Sequence, residues 1–291
     1  MHWWISVVGA GLILLALRDI FHTLWHPFGH GALSERVIRV IWRMFRRIDA
    51  RGKLIGTAGP AGTVLVIVLW TVLLVLGWAL VYWPFLPGAF SFDPGLNPSE
   101  RLDALDALYL SLVVVATLGF GDIVPDDAWL RAVTPLQALI GFALLSASVS
   151  WVSQITPALQ RRRTLAARLA ALRTAGADGQ LARLDSPAAA TMLDSLTTAV
   201  LQVRVDLSQY SETYYFHDGP DSASLASVLG YAADLAEQGQ ESPRADVRLA
   251  SAVLNEALDD LGGVLDQYFL HSGAPTREVF TAYAADHGRR P

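Results

Sequence analysis

Cysteine is absent from the 291 residues of this chain, and Lys53 is its single lysine. Without cysteine the chain can form no disulfide, no thiol nucleophile and no cysteine-ligated metal site. Charge is also scarce, because 17% of the residues are charged against about 25% in soluble domains. Hydrophobic residues make up 53% of the sequence and its mean hydropathy is +0.36. Together with nine tryptophans, this composition is typical of a membrane protein.

Several functional signatures are missing as well. No Gly-x-Gly-x-x-Gly follows a strand-like segment, which excludes the common dinucleotide-binding loop. No apolar segment carries arginine at every third position, which excludes a voltage-sensing helix. The histidines are scattered and suggest no nucleophile–base–acid set. The sequence therefore predicts no enzymatic activity, no organic cofactor and no nucleic-acid partner.

Charge is distributed unevenly along the chain. From Asp185 to the end there are 16 acidic residues and 6 arginines, a balance of −10. Since the whole chain carries −5, the part before Asp185 carries +5. This asymmetry predicts a basic membrane-proximal part and an acidic, water-soluble domain.

Three segments are long and apolar enough to cross a bilayer. The first lies within residues 1–27 and provides roughly 20 apolar positions. We expect it to be a retained membrane helix, the alternative being a helix that lies in the interface. The second, an outer helix at 58–83, ends in tryptophan and tyrosine residues that resemble an aromatic belt. The third, an inner helix at 129–157, is followed closely by three consecutive arginines.

Residues 34–53 predict a basic amphipathic helix with Ser34 as its N-cap. Apolar residues alternate at helical spacing with five arginines between Arg36 and Arg47. Helices of this kind lie on anionic membrane surfaces, so we expect anionic lipid headgroups near Arg36–Arg47. The alternative is a cytoplasmic connector that only fixes the topology.

A short helix at 98–116 lies between the second and third spans. It begins at Asn97-Pro98-Ser99-Glu100, a typical helix start, and follows an irregular loop rich in proline and glycine. The helix is too short to span the membrane, so it predicts a re-entrant loop. Such backbone is tolerated only where it is buried in protein or lines an aqueous path.

The remainder of the chain predicts a linker helix at 158–175 and a helical cytoplasmic domain at 176–291. Pro157 is expected to weaken the continuity between the inner helix and this linker helix. Within the domain, helical apolar spacing covers four segments, residues 186–215, 222–237, 243–270 and 275–287. No strand pattern or repeat accompanies them, so the predicted fold class is all-α.

Residues 117–122, Thr-Leu-Gly-Phe-Gly-Asp, directly follow the short helix. Backbone carbonyls that face one axis can replace the hydration shell of a potassium ion, and glycine adopts the necessary dihedral angles cheaply. The motif resembles the selectivity filter of potassium channels, usually Thr-Val-Gly-Tyr-Gly-Asp. The resemblance covers roughly residues 60–160 and is closest to the bacterial type with two helices and one pore loop.

This resemblance implies an all-α membrane protein in which residues 58–157 form a tetrameric, pore-loop cation channel module. Four copies are implied because one chain supplies one loop, so the expected partner is the protein itself as a homotetramer. Potassium is the implied permeant ion, conducted passively. The implied ion ligands are the carbonyl oxygens and the threonine hydroxyl of Thr117, Leu118, Gly119 and Phe120. Gly121 completes the filter and Asp122 lies at the outer mouth.

Gly141 lies 24 residues after the filter threonine, the separation at which related channels carry a glycine hinge in the inner helix. The resemblance therefore implies a hinge at Gly141. The alternative is that Gly141 only permits close helix packing.

The chain departs from the family pattern behind the filter. Related channels place two aromatic residues at the positions of Tyr109 and Leu110, which bond to a filter tyrosine hydroxyl that Phe120 lacks. Some bacterial members place a glutamate at the position of Val113, paired with the outer aspartate. That pair cannot form here, so we expect filter stability and inactivation to differ while selectivity is retained.

The topology follows from the two basic clusters, 36–53 and 161–163. They lie on the same side of the membrane if the outer and inner helices both cross it. This places the filter and the N-terminus outside and the C-terminal domain in the cytoplasm. The expected location is the plasma (inner) membrane. The helical domain is expected to gate the pore in response to a regulatory ligand that the sequence does not identify.

Five consecutive or nearby residues form a possible regulatory cluster: Tyr210, Tyr214, Tyr215, Phe216 and His217. Their interpretation is open between a ligand or pH sensor and a domain core or tetramer contact. Two functional alternatives to a potassium channel also stay open. One is a non-selective monovalent cation channel, and the other is a membrane-anchored sensor with a vestigial pore.

Overall fold

The computed structural model describes residues 3–25, 31–48, 57–95, 102–181, 186–218 and 224–289. Within these ranges the chain is almost entirely helical, as predicted. The α-helices are α1 Trp3–Leu24, α2 Ala32–Ile48, α3 Ala58–Tyr82, α4 Asp103–Val115, α5 Ala128–Thr174, α6 Ala177–Gln180, α7 Ser186–Gln209, α8 Leu229–Gln240, α9 Ala245–Leu265 and α10 Thr276–Asp286.

The described residues include three helices that are long and apolar enough to cross a membrane, α1, α3 and α5. The chain divides into two compact units. The first unit comprises Met1–Val37 and Gly62–Ser153, and the second comprises Ile38–Ala61 and Gln154–Pro291.

Helix α1 packs antiparallel against α3 in the first unit. A Cβ atom at Gly9 would lie within 3.0 Å of the Gly77 carbonyl oxygen, so the two backbones approach directly. Further along, the indole N–H of Trp70 donates to Asp19 at 2.9 Å. Small residues at such crossings are typical of membrane helix pairs. These contacts with Trp70 and Gly77 of α3 favour the membrane-helix interpretation of α1 over a helix that lies in the interface.

The N-terminus of α2 is capped by a residue of α1. The carboxylate of Asp19 accepts hydrogen bonds from the backbone N–H groups of Leu33 at 2.9 Å and Ser34 at 3.2 Å, and from the Ser34 hydroxyl. Helix α2 already begins at Ala32, so the prediction of Ser34 as the N-cap is wrong. An aspartate carboxylate both satisfies the free N–H groups and suits the positive end of the helix dipole.

The segment around the re-entrant loop contains a small sheet that the sequence did not predict. Strand β1, Phe90–Phe92, pairs antiparallel with β2, Ile123–Pro125, and Phe90 lies opposite Pro125. Phe90 and Ile123 are buried, which explains why this stretch is ordered as a strand pair. Helix α4 lies within the predicted short helix, whose start signal at 97–100 is outside the described residues.

Helix α5 is continuous from Ala128 to Thr174, so the predicted weakening at Pro157 is not observed. Proline removes the hydrogen bond to the carbonyl of Ser153, and the boundary between the two units falls directly after Ser153. Ile155, Ala158 and Leu159 are buried around the proline. Their packing offsets the lost bond, and the inner helix and the linker helix are one element.

The second unit is built around α7 and α9. Fully buried leucines and valines form its core, namely Leu193, Leu196, Val200, Leu254, Leu258 and Leu261. Helix α7 ends at Gln209 rather than at Tyr215, and a 3-10 turn follows at Ser211–Tyr215. Helix α9 ends at Leu265 and is followed by one π-helical turn, Asp266–Leu270.

Candidate functional site

The loop that resembles a filter starts where α4 ends. The N–H of Thr117 donates to the carbonyl of Val114, and the N–H of Leu118 donates to the carbonyl of Val113, both at 2.9 Å. This pair of bonds is the Schellman helix ending, which requires a left-handed residue, and Thr117 has φ 56°. Glycine usually occupies this position. A β-branched residue there costs roughly 1–2 kcal/mol, so the first residue of the loop is strained.

Left-handed residues alternate along the loop. Thr117, Gly119 and Gly121 have φ values of 56°, 57° and 79°, whereas Leu118 and Phe120 do not have positive φ. In a regular strand, successive carbonyls point to opposite sides. When the sign of φ alternates, every second peptide plane is rotated relative to a regular strand. The carbonyl oxygens of successive residues can then all face one side of the chain. A row of oxygens on one side is the arrangement that can coordinate a dehydrated cation.

The residues of the loop are exposed in the single chain. Leu118 is 58% and Phe120 is 65% exposed, which is unusual for large apolar side chains. The first part of α5 has a similar apolar stripe. Its exposed members are Leu136, Leu139, Phe142, Leu145 and Val149. Together these surfaces are suited to pack against other chains or to line a pore.

Asp122, at the end of the loop, is held on two sides. The hydroxyl of Tyr109 in α4 donates to its carboxylate at 2.6 Å. The backbone N–H of Asp93 donates to its carbonyl at 2.9 Å, next to the β1–β2 pair. Sequence reasoning missed this use of Tyr109. The available signal was a tyrosine, Tyr109, in the helix that precedes Asp122. The usual partner position of that aspartate, Val113, carries no polar group.

A buried polar network connects the three helices around the loop. The Tyr82 hydroxyl of α3 donates to the Gln137 side-chain oxygen at 2.6 Å. The Gln137 amide of α5 donates to the carbonyl and the hydroxyl of Ser111 in α4, both at 3.0 Å. Ser111 in turn donates to the Val75 carbonyl at 2.7 Å. Because Tyr82, Ser111 and Gln137 are fully buried, the network fixes the position of α4 and so of the loop.

Gly141 lies where α5 crosses the end of α4. A Cβ atom at position 141 would come within 3.0 Å of the Val115 carbonyl oxygen and carbon. Helix α5 continues through this position. The geometry supports close packing as one role of Gly141, and the hinge stays a prediction.

The five residues of the predicted regulatory cluster do not form one site. Tyr214 and Tyr215 are buried side by side with ring centroids 5.2 Å apart. The ring of Phe216 lies against Gly59, and Tyr210 bonds to Gln154. His217 lies 2.8 Å from the guanidinium of Arg289. These separate surroundings support the domain-core interpretation for Tyr214 and Tyr215.

Tyr214 belongs instead to a buried cluster that the sequence did not reveal. Its ring stacks on Phe269 at 4.1 Å and its hydroxyl donates to Asp286 at 2.8 Å. Burial, and then the negative charge of Asp286, raise the pKa of Tyr214. Burial also raises the pKa of Tyr283 to about 12.

His287 is the buried imidazole of this cluster. Its Nε2 faces the Tyr214 carbonyl at 2.8 Å and its Nδ1 faces the Tyr283 carbonyl at 3.1 Å. Burial lowers the pKa of His287 to about 4. The ring is therefore neutral at pH 7 and donates one hydrogen bond.

Helix α5 is joined to the segment around Tyr214 by a buried ion pair. The guanidinium of Arg162 donates to Asp218 at 2.8 Å and to the carbonyl of Phe216 at 2.7 Å, and also to the carbonyl of Thr213. Both side chains of the pair are less than 5% exposed. Within the described ranges, His, Asp and Glu form no group of three that could hold a metal ion.

Comparison with known proteins adds two findings. Residues 63–156 match the family model described as an ion channel. The chain is 29% identical over 178 residues to the uncharacterized membrane protein YdjJ of Bacillus subtilis (strain 168). That alignment covers 58% of this chain and 49% of YdjJ, so the chain spans about half the length of this curated relative. No solved structure matches the chain.

Proposed function

Residues 63–156 are an ion channel domain, and from that premise we propose that the protein is a potassium channel with a homotetrameric pore. The observation that supports this proposal most strongly is the alternation of left-handed φ at Thr117, Gly119 and Gly121. It occurs in a loop with the sequence Thr-Leu-Gly-Phe-Gly-Asp, directly after a helix that ends at the loop. Passive conduction through such a loop needs no catalytic group, so enzymatic activity forms no part of the proposal.

In this proposal K⁺ is coordinated by the backbone carbonyls of Thr117, Leu118, Gly119 and Phe120 and by the Thr117 hydroxyl. Gly121 allows the chain to leave the filter, and Asp122 concentrates cations at the outer mouth. The bond from Tyr109 holds the Asp122 carboxylate in place. Tyr109 thus replaces the glutamate partner that this chain lacks at Val113.

The tetramer is proposed because a single loop cannot surround an ion. Four loops around one axis supply closed rings of oxygen ligands. The exposed apolar residues of the loop and of α5 support this assembly, since Leu118, Phe120 and Phe142 are each more than half exposed in the single chain.

Gating by the second unit is proposed from the continuity of α5. The helix begins at Ala128, next to the loop, and ends at Thr174 within the second unit. In that unit Arg161 forms two hydrogen bonds to Asp206, at 2.7 and 2.6 Å, and Arg162 is held by Asp218. A rearrangement of the second unit can therefore be passed to α5 through charged contacts.

The protein is a membrane protein, and we propose the plasma (inner) membrane as its location. The positive-inside rule places the second unit in the cytoplasm and the N-terminus outside. With α1, α3 and α5 as spans, this orientation is self-consistent.

The test is potassium flux from liposomes that contain the purified full-length protein. Gly119→Asp introduces a carboxylate and a side chain at φ 57°, and we expect it to abolish flux. Gly88→Asp is the matched control, because Gly88 has no atoms within 4 Å of an added Cβ and lies outside the filter. Potassium flux through Gly119→Asp equal to that of the unaltered protein would contradict the proposed filter. Absence of flux in the unaltered protein would favour a sensor with a vestigial pore.

Assembly is tested separately by the mass of the detergent-solubilised protein. Four chains of 31.5 kDa are expected in each particle. A monomeric or dimeric protein that still passes potassium would contradict the tetrameric pore.

A further inference from the structure

A cavity of about 440 Å³ opens in the second unit beside the basic face of α2. Four arginines from one face of α2 line it: Arg39, Arg43, Arg46 and Arg47. Further lining residues include Tyr214, Tyr215, Tyr268, Phe269 and His271. The volume lies within the range of small-molecule sites, roughly 300–1,000 Å³.

The cavity has a positive balance of charge. Among the lining residues that the structure describes, Asp286 is the one carboxylate, so these four arginines and one aspartate together carry a formal charge of +3. Asp286 is already engaged, because it accepts hydrogen bonds from Trp42 at 3.2 Å and Tyr214 at 2.8 Å and pairs with Arg46. These bonds hold α2 against the aromatic cluster and keep the walls of the cavity together.

Arg43 and Arg47 are the two guanidiniums best placed to receive a ligand. Both are exposed, and neither forms an ion pair with any residue that the structure describes. They lie four residues apart on α2, so their Cβ atoms are neighbours at about 6 Å on one helix face. Two guanidinium forks at this separation can hold one tetrahedral oxyanion between them, since the planar fork matches phosphate geometry.

The aromatic wall gives the cavity a fixed shape. Tyr214 and Phe269 are parallel within 3°, and the ring of Tyr215 meets Phe269 edge-on at 6.1 Å. The stacked rings leave an apolar surface beside the guanidiniums. The cavity therefore suits a ligand that joins a phosphate to an organic group.

We propose that this cavity binds a phosphate-bearing anion through Arg43 and Arg47. The phosphate is either dissolved in the aqueous phase or part of an anionic phospholipid headgroup. The proposal narrows the lipid contact expected along Arg36–Arg47 to one defined site. Arg36 is not part of that site, because it does not line the cavity. The proposal does not depend on conduction by the pore.

Calorimetric titration of the purified full-length protein in an uncharged detergent tests the proposal. The soluble probe is pyrophosphate, and the lipid probe is short-chain phosphatidylglycerol, with short-chain phosphatidylcholine as the neutral comparison. We expect Arg43→Gln and Arg47→Gln each to weaken binding roughly tenfold, as for loss of a charge-assisted hydrogen bond. Arg36→Gln is the matched control, and we expect it to change affinity by less than about twofold.

Each outcome decides the proposal. Pyrophosphate binding that depends on Arg43 and Arg47 supports a site for dissolved phosphate. Selective binding of phosphatidylglycerol with the same dependence supports a headgroup site. Absence of binding for both probes, or an equal loss in Arg36→Gln, would overturn the proposal.

Discussion

The candidate filter loop, residues 117–122, and the aromatic cluster of the second unit are opposite kinds of structure. The loop is exposed and has three left-handed residues. The cluster around Tyr214 is buried. Its rings pack against one another and its polar groups form hydrogen bonds within the cluster. Both are conspicuous in the sequence as dense aromatic or glycine-rich stretches. The difference shows that strain at exposed backbone marks the candidate site, whereas a dense run of aromatic residues here marks a core.

The largest effect is expected from breaking the buried ion pair of the second unit. Arg162→Ala removes the buried guanidinium from Asp218 and leaves its carboxylate beside the half-exposed Arg163, and we expect a loss of about 3–5 kcal/mol in stability. Arg163→Ala is the matched control, because Arg163 faces the same carboxylate at 3.4 Å but is 49% exposed. We expect it to cost less than about 1 kcal/mol.

Thermal unfolding followed by tryptophan fluorescence measures both variants. Similar melting temperatures for Arg162→Ala and Arg163→Ala would show that burial of the pair does not stabilise this unit.

The next effect is expected in the first unit at Gly141. Gly141→Ala places a methyl group against the Val115 carbonyl, and such overpacking costs about 1–3 kcal/mol or more. Gly11→Ala is the control, because no atom lies within 4 Å of an added Cβ there. Melting temperature and potassium flux should both fall in Gly141→Ala alone. Full stability with altered opening would instead favour the hinge interpretation.

The pH dependence of the aromatic cluster gives a third comparison. Burial lowers the pKa of His287 to about 4, whereas in an unfolded chain it is about 6.5. The unfolded state therefore binds the extra proton first, so stability is complete above about pH 6.5 and falls as the pH approaches 4. The maximum loss is about 3 kcal/mol. Arg162 and Asp286 are the charged groups that face the ring.

Melting temperatures recorded between neutral and acidic pH test this expectation. His287→Gln should flatten the profile, and His271→Gln, at an exposed position, should leave it unchanged. An unaltered slope in His287→Gln would assign the acid sensitivity to other groups.

The smallest effect is expected behind the filter. Tyr109→Phe removes one hydrogen bond to Asp122, which is worth about 1 kcal/mol. We expect potassium flux to start normally and to decay faster, because Asp122 is less firmly held. Tyr268→Phe is a control phenol in the second unit. A decay that is unchanged in Tyr109→Phe would show that the backbone bond beside the β1–β2 pair is enough to fix Asp122.

The left-handed backbone positions at Gly119 and Gly121 could be predicted from the sequence because their signals are local, whereas their role as an ion filter stays a prediction. Gly119 and Gly121 supply left-handed positions within six consecutive residues, and the preceding helix is also evident. The left-handed conformation of Thr117 could not be predicted, since a β-branched residue rarely adopts it. It follows from the helix ending that the structure shows.

Features that depend on distant neighbours were not predictable. The cap of α2 comes from Asp19 on another helix, and Gln137 appears in the sequence as an isolated polar residue in an apolar span. Pro157 carries a local penalty of about 3 kcal/mol, which the surrounding burial offsets. Residues 210–217 are adjacent in the chain but face different neighbours. In each case tertiary contacts decide the outcome.

The most direct test of the central claim is the reversal potential of the reconstituted protein in a planar bilayer, with potassium on one side and sodium on the other. Carbonyl oxygens of the filter loop, held as proposed, predict a potential shifted strongly toward the potassium equilibrium value. They also predict loss of the current in Gly119→Asp. A current that reverses near zero voltage would contradict the account and identify a non-selective cation channel.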